Sequence, residues 1–208
     1  MEKMRILVLA PDESWEELVT ENPNVDWLRA ADTGSFISNT DSDAYVNLTA
    51  NAAEADYSHI SRPVIIHAVS ITLKELKARK NICRINGWKG FIKRSKWEVA
   101  GDMDEKAAAV FSAMQKTVIP VPDEPGFIAG RIISMIINEA YFALGEAVSS
   151  KEEIDTAMKL GTNYPYGPFE WANRIGTGNI HELLLKLSVN DKRYQPSPSL
   201  VLEATEKI

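Results

Sequence analysis

The sequence predicts an α/β domain with a doubly wound parallel sheet, followed by an all-helical domain. Three observations carry this reading. Short continuous apolar runs such as "MRILVLA" (4–10) and "RPVIIHAVS" (62–70) recur through the first 120 or so residues. Runs of that length between turn residues read as buried strands. Helical stretches lie between them, and strands that alternate with helices imply a parallel sheet. Past "PVPDEPG" (120–126) the strand pattern stops and only helical patterns follow.

The elements run in order. "MRILVLA" is the first strand, and "DESWEELVTE" (12–21) is a helix whose acidic first turn suits the positive end of the helix dipole. "VDWLRAAD" (25–32) and "AYVNLTAN" (44–51) read as strands, separated by the polar, turn-rich "DTGSFISNTDSD" (32–43). "RPVIIHAVS" is the next strand and "ITLKELKARK" (71–80) the helix after it, with Ser70 placed as its N-cap. "NICRINGW" (81–88) and "SKWEVAG" (95–101) are strands flanking a loop. "DMDEKAAAVFSAMQK" (102–116) is a helix, and "TVIPVPD" (117–123) a last short strand. The texture changes at residues 119 to 126, which gives domains 1–122 and 123–208.

The second domain opens with "FIAGRIISMIINEAYFALGEAV" (127–148), apolar on most faces and so expected to be deeply buried. "SSKEEIDTAMKLG" (149–161) has Ser150 as N-cap, Glu153 closing a capping box, and Gly161 as the stop. "NYPYGPFEWANRIG" (163–176) is a tight turn, with Pro168 starting a helix and Gly176 ending it. "NIHELLLKLSVN" (179–190) is amphipathic, and "PSPSLVLEATEKI" (196–208) is a terminal helix.

Composition excludes several classes. A net charge of −6 argues against a nucleic-acid partner. The single Cys83 forms no intrachain disulfide, so a reducing cytoplasm is the expected setting and a small buried hydrophobe the expected role. No apolar run is read as approaching the roughly 20 residues of a membrane span, and "MEKMRILVLA" lacks a signal-peptide core, so no membrane partner is expected. His59 and His181 have no companions at metal-ligand spacing, and no metal is expected.

The second half carries a dense set of motifs over about 80 residues. They are the PGF-x-x-x-RI entry, NEA in the long helix, EEIDTAMKLG, the N-x-P-x-GP turn and the late PSP. In order and spacing they resemble the C-terminal domain of 3-hydroxyacyl-CoA (3-hydroxybutyryl-CoA) dehydrogenases. The resemblance implies a Rossmann domain that binds NAD, followed by a helical domain that dimerises and helps hold the acyl-CoA. The first half fits the same template in shortened and degenerate form. In "RILVLAPDESW", Ala10, Asp12 and Trp15 stand at the three glycine positions of the dinucleotide motif. Those glycines serve the tight turn, close approach to the pyrophosphate, and helix–strand packing. With them absent, no cofactor is expected.

The resemblance also implies a catalytic set of serine, histidine, glutamate and asparagine. The histidine takes the hydroxyl proton and the glutamate orients it, as a catalytic base requires. Carried over position by position, Ser70 and Glu98 remain. Asn86 stands in place of the histidine, and Gly130 in place of the asparagine. Asn86 has no titratable proton near neutral pH and is no general base.

Each of these positions has a plainer reading. Glu98 is a site remnant, bonded to Asn86, or a structural carboxylate. Ser70 binds a carbonyl oxygen or caps a helix. Asp32 is a ribose-binding acid or a turn aspartate. His67 is a packed core histidine or a substitute base. Lys89, Lys93 and Arg94, with Lys96, form an anion-binding candidate or a solvated edge. Trp88, Phe91 and Trp97 read as core or interface aromatics. Tyr164 and Tyr166 line a pocket or a subunit contact. The expectation is a dehydrogenase-like homodimer without standard activity that keeps an acyl-CoA cleft. An active dehydrogenase and a non-enzymatic interaction protein are the alternatives.

Overall fold

A computed structural model describes residues 3–206. The chain divides into two compact units, one ending at Phe127 and the other beginning at Ile128. The first unit holds a seven-stranded sheet in the order β2-β1-β3-β4-β5-β6-β7. The strands are β1 (Met4–Leu9), β2 (Val25–Arg29), β3 (Ala44–Asn47), β4 (Val64–His67), β5 (Ile82–Ile85), β6 (Lys96–Ala100) and β7 (Thr117–Pro120). Its helices are α1 (Asp12–Leu18), α2 (Thr33–Ser38) and α3 (Glu105–Ala113).

Alternation along the strands divides the core in two. Ile6, Val8, Ile65, Cys83, Ile85 and Val99 point to the face packed with Leu18 of α1 and Val110 and Phe111 of α3. Leu7, Tyr45, Val64, Ile66 and Ile82 point to the other face, against Phe36 of α2 and the loop residues Tyr57 and Ile60. Burial on both faces is what continuous apolar strands require.

Four expectations need correction. The sheet is not wholly parallel, because β5 and β6 pair antiparallel and β7 runs parallel to β6. "DTGSFISNTDSD" contains α2, nucleated by a capping box. Asp32 accepts from the Ser35 N–H at 2.7 Å and Ser35 Oγ accepts from the Asp32 N–H at 3.1 Å.

"ITLKELKARK" is one turn rather than a helix, and its cap is Thr72 rather than Ser70. Thr72 and Glu75 close the front of the turn, since the Thr72 N–H donates to Glu75 at 2.8 Å and the Glu75 N–H to Thr72 Oγ1 at 3.2 Å. A Schellman pair closes the back. Ala78 N–H bonds the Leu73 carbonyl and Lys77 N–H the Lys74 carbonyl, with Lys77 left-handed at φ 49°. In the second unit Gly161 does not end its helix, which runs on to Thr162. Asn163, at φ 55°, takes the left-handed position instead.

The second unit contains α4 (Phe127–Gly145) from Ile128 onward, α5 (Lys151–Thr162), α6 (Pro168–Ile175), α7 (Thr177–Ser188) and α8 (Pro198–Glu206). The final two residues of the terminal helix pattern lie outside the described residues. Among the described residues α4 is long and apolar enough to cross a bilayer, with mean hydropathy 1.4, although Arg131 and Glu139 interrupt it. Ile133, Ile137 and Tyr141 bury one of its faces.

The motifs of this half hold helices together. Asn138, from NEA, donates to the Gln195 carbonyl at 2.9 Å and accepts from the Ser197 N–H at 2.8 Å, beside the late PSP. Asp155, from EEIDTAMKLG, accepts from the Phe169 and Glu170 N–H groups at 2.8 and 3.1 Å. It thereby satisfies the open N-terminus of α6. Gly167 lies so close to Asp155 that an added Cβ would sit 2.5 Å from the Asp155 Cα.

Candidate active site

The candidate residues gather where strands leave the carboxyl edge of the parallel part of the sheet, the usual ligand position in doubly wound folds. At the β1–α1 turn, Arg29 from the end of β2 reaches over the backbone. It donates to the Ala10 carbonyl at 3.3 Å, pairs with the Asp12 carboxylate, and stacks 5.0 Å above the Trp15 ring. All three residues that replace the glycines therefore engage one guanidinium. Pro11 precedes α1 and gives it no side-chain cap, while Asp12 and Glu13 occupy its first turn. Asp32 is the N-cap of α2, and its bonds to Ser35 hold the carboxyl below the usual range.

The β5–β6 register pairs Arg84 with Ala100 and Ile85 with Val99, and continuing it by one residue would set Asn86 against Glu98 on one face of the sheet. Asn86 Oδ1 accepts from the Trp88 N–H at 3.1 Å. Its Nδ2 is buried without a partner among the described residues, so the Asn86–Glu98 bond raised by the sequence is not made. Ser70 is buried just beyond β4. Gly130 lies in the first turn of α4, in the helical unit.

His67 ends β4 on the opposite face, and its Nδ1 accepts from the Gly87 N–H at 3.1 Å. Burial pushes its pKa down to about 4, against a weaker opposing bond to Ile85. A Cβ on Gly87 would lie 2.8 to 2.9 Å from the His67 ring, so only glycine allows this stacking. The ring is therefore a packed neutral imidazole, on the wrong side of the sheet to serve Asn86 or Glu98.

The basic loop is largely matched by α1. Lys89 pairs with Glu13 at 2.7 Å, and both oxygens of Glu17 accept from the Gly90 N–H at 2.9 Å. Arg94 stacks 4.1 Å over Phe91, and its charge also interacts with Glu98. Lys93 lines an open cleft of about 560 Å³ together with Glu13, Glu16, Glu17, Lys89 and Lys116. Burial lowers Lys116 to about 8, opposed by Glu17, and its Nζ donates to the Ile92 and Arg94 carbonyls at 2.9 Å. Three carboxylates thus line this cleft beside three amines. Trp88, Phe91 and Trp97 are buried, as core aromatics. Cys83 is buried too, and burial pushes its thiol up to about 11. Among the described residues no three potential ligands cluster for a metal.

The sequence reading missed Arg84. It is fully buried, and its Nε donates to Asp123 at 2.6 Å. Its other nitrogens donate to the Ala68 carbonyl at 3.1 Å and the Glu124 carbonyl at 2.7 Å, and it stacks 4.3 Å over Phe127. Asp123 also accepts from the Leu73 and Lys74 N–H groups, each at 3.0 Å. Gly126 N–H closes the set on the Val69 carbonyl at 2.8 Å. The signal was available: a charge inside the apolar "ICRI" is rarely buried unpaired.

A mostly parallel, doubly wound sheet with its candidate residues at the strand ends, followed by five helices among the described residues, defines a two-part protein with a Rossmann-like first unit. Comparison with known proteins narrows the class. Residues 126–205 match the family described as 3-hydroxyacyl-CoA dehydrogenase, C-terminal domain. A 3-hydroxyadipyl-CoA dehydrogenase of Escherichia coli is 44% identical over 93 residues, covering 44% of this chain and 20% of that protein. A probable 3-hydroxybutyryl-CoA dehydrogenase of Bacillus subtilis is 38% identical over 94 residues, covering 44% of this chain and 33% of that one. These matches span a third or less of the relatives' own length. In structure, an (S)-3-hydroxybutyryl-CoA dehydrogenase of Ralstonia eutropha superposes with a TM-score of 0.72 at 18% identity, over 99% of this chain and 95% of that one. At that identity the likeness shows the fold. Residues 126–205 belong to the C-terminal domain of the 3-hydroxyacyl-CoA dehydrogenase family.

Proposed function

We propose that this chain is a 3-hydroxyacyl-CoA dehydrogenase-like protein that does not perform the standard NAD-dependent hydride transfer. It keeps the helical domain for self-association and a capacity to bind acyl-CoA. The observation that carries the reading is Asn86. It stands where the resemblance puts the family's base, in register with Glu98 if the β5–β6 pairing is continued by one residue, and an amide cannot take a proton near neutral pH. The β1–α1 turn supports the same reading. Close approach of a pyrophosphate needs bare backbone and a free helix N-terminus. Here Arg29 covers that backbone, and Asp12 and Glu13 bring like charge to it. These residues do not fit a dinucleotide bound through its pyrophosphate. Self-association is supported by Ile128 and Ile132, one turn apart on α4 and 54% and 55% exposed.

The test is acetoacetyl-CoA reduction by NADH, followed by loss of NADH absorbance. No turnover is expected, and no saturable change of NADH fluorescence. Turnover that Glu98→Gln abolishes would overturn the proposal, because Glu98 would then serve an intact mechanism.

A further inference from the structure

We infer that the first unit carries a binding pocket for a short, unbranched carboxylate, separate from the strand-end residues described above. The pocket holds about 180 Å³ and lies on the face of the sheet away from α1 and α3. Its origin is the truncated connection between β4 and β5. A full crossover helix would cover Ile66 and Ile82 there. Instead a single turn, stopped at Lys77 by its left-handed backbone, lies over the two isoleucines, which line the base of the pocket at 1% and 6% exposure. The walls are small where they meet it: Ala53 and Ala55 on one side, Ala78 with Leu76 on the other.

Size and charge select the ligand. An enclosed apolar cavity of roughly 150 Å³ accepts benzene; this pocket is similar in volume but open to solvent, so it suits a short aliphatic chain lying against Ala53, Ala55, Leu76 and Ala78. The remaining lining adds cations at the solvent side. Lys77 and Arg79 are exposed there against the single carboxylate Asp56. Arg79 spends one N–H on the Ser58 carbonyl, and neither cation is in an ion pair among the described residues. A guanidinium has five donors, so Arg79 retains the fork that grips a carboxylate. Tyr57 is not available, because its hydroxyl is already bonded to the Asn47 amide and the Ala52 carbonyl. An apolar floor beneath a net-positive lip recognises an aliphatic tail ending in one negative charge.

The full chain is titrated with sodium hexanoate, with 1-hexanol and sodium acetate as controls. Binding is read by calorimetry and by the methyl NMR signals of Ile66 and Ile82. Hexanoate is expected to saturate and to shift both methyl groups, with hexanol and acetate each binding at least about tenfold more weakly. Ala78→Leu fills the pocket and should remove hexanoate binding while leaving the melting temperature unchanged or higher. Arg79→Met should weaken hexanoate about tenfold and leave hexanol unchanged. If Ala78→Leu fails to fold, the wild-type methyl shifts and Arg79→Met decide the matter. Hexanoate that does not saturate, or that saturates without moving Ile66 and Ile82, overturns the site. Hexanol binding as tightly as hexanoate overturns the carboxylate.

Discussion

Removing either partner of the Arg84–Asp123 pair should destabilise the first unit, and the two losses should be unequal. Arg84→Met keeps an unbranched chain of similar reach but deletes three hydrogen bonds and the stacking on Phe127. The Ala68 and Glu124 carbonyls lose donors, at roughly 1 kcal/mol each when buried. Asp123 is not stranded, because it keeps the Leu73 and Lys74 N–H groups and is 29% exposed. The guanidinium's own burial cost also disappears. The expected loss is therefore about 3 kcal/mol, the low end for breaking a buried pair. Asp123→Asn leaves a guanidinium at 0% exposure without its counter-charge, and the cost rises to about 5 kcal/mol.

Urea unfolding followed by tryptophan fluorescence measures this, since four of the five tryptophans precede residue 128. A loss below about 1 kcal/mol for Arg84→Met, or a larger loss than for Asp123→Asn, refutes the reasoning. Acid dependence gives a second check. Burial pushes the Asp123 carboxyl up, but Leu73, Arg84 and Lys74 together hold it below its ordinary value. Stability from a depressed carboxyl is present above the unfolded value, 3.8, and is lost as pH falls through the folded one. Arg84→Met should flatten that acid limb.

Three further outcomes follow from the same structure. Ala147 is left-handed at φ 56° in the Schellman stop behind α4, so Ala147→Gly should raise the stability of the helical unit by about 1 kcal/mol in a denaturant melt. His67 is neutral when folded, with a pKa of about 4 against 6.5 unfolded. The unfolded chain thus binds the extra proton, and stability falls as pH drops from 6.5 towards 4, by at most about 3 kcal/mol. His67→Gln should remove that slope in a pH series. Gly167→Ala drives a methyl group into Asp155 and its backbone, and circular dichroism should show the helical unit destabilised by about 3 kcal/mol or unfolded.

The fold was legible wherever burial writes itself into local pattern. All seven strands coincide with strands read from the sequence; the central ones, β1, β3, β4 and β5, are nearly continuously apolar because both their faces are covered. What escaped the reading was decided at single residues or at a distance. The α2 helix hides in a polar run because its cap, Asp32 with Ser35, uses the same residue types as a turn. "ITLKELKARK" has helical spacing, yet Lys77 adopts the left-handed stop that normally signals itself with glycine. Asn163 displaced Gly161 as a stop for the same reason. The direction of β6 has no local signature, since an antiparallel strand can carry the same side chains as a parallel one. At the candidate site, the register that would set Asn86 against Glu98 was legible only as a spacing. The Arg29 cover on Ala10, Asp12 and Trp15 depends on pairing between β1 and β2, which no short window encodes.

The uneven strength of the family signal has a physical cause. The matched region begins at residue 126, and its most distinctive residues act on helices. Asn138 ties α4 to the chain entering α8, Asp155 caps α6, and Gly167 makes room for Asp155. Each is held in place by packing or capping inside one unit. Such residues serve the folding of the helical unit, whether or not any hydride is transferred elsewhere. Apart from Gly130, the positions on which proton and hydride transfer would depend fall outside the match, in the first unit. There Asn86, Asp12 and Trp15 have other work: Asn86 bonds the Trp88 backbone, and Asp12 and Trp15 hold Arg29. A match confined to the helical half therefore argues for shared architecture. Restoring one group should not restore the reaction. Asn86→His would return a base where the resemblance puts it, but the turn under Arg29 would still meet a pyrophosphate with Asp12 and Glu13. NADH-dependent turnover in that single variant would show that the β1–α1 turn is not the barrier it is argued to be.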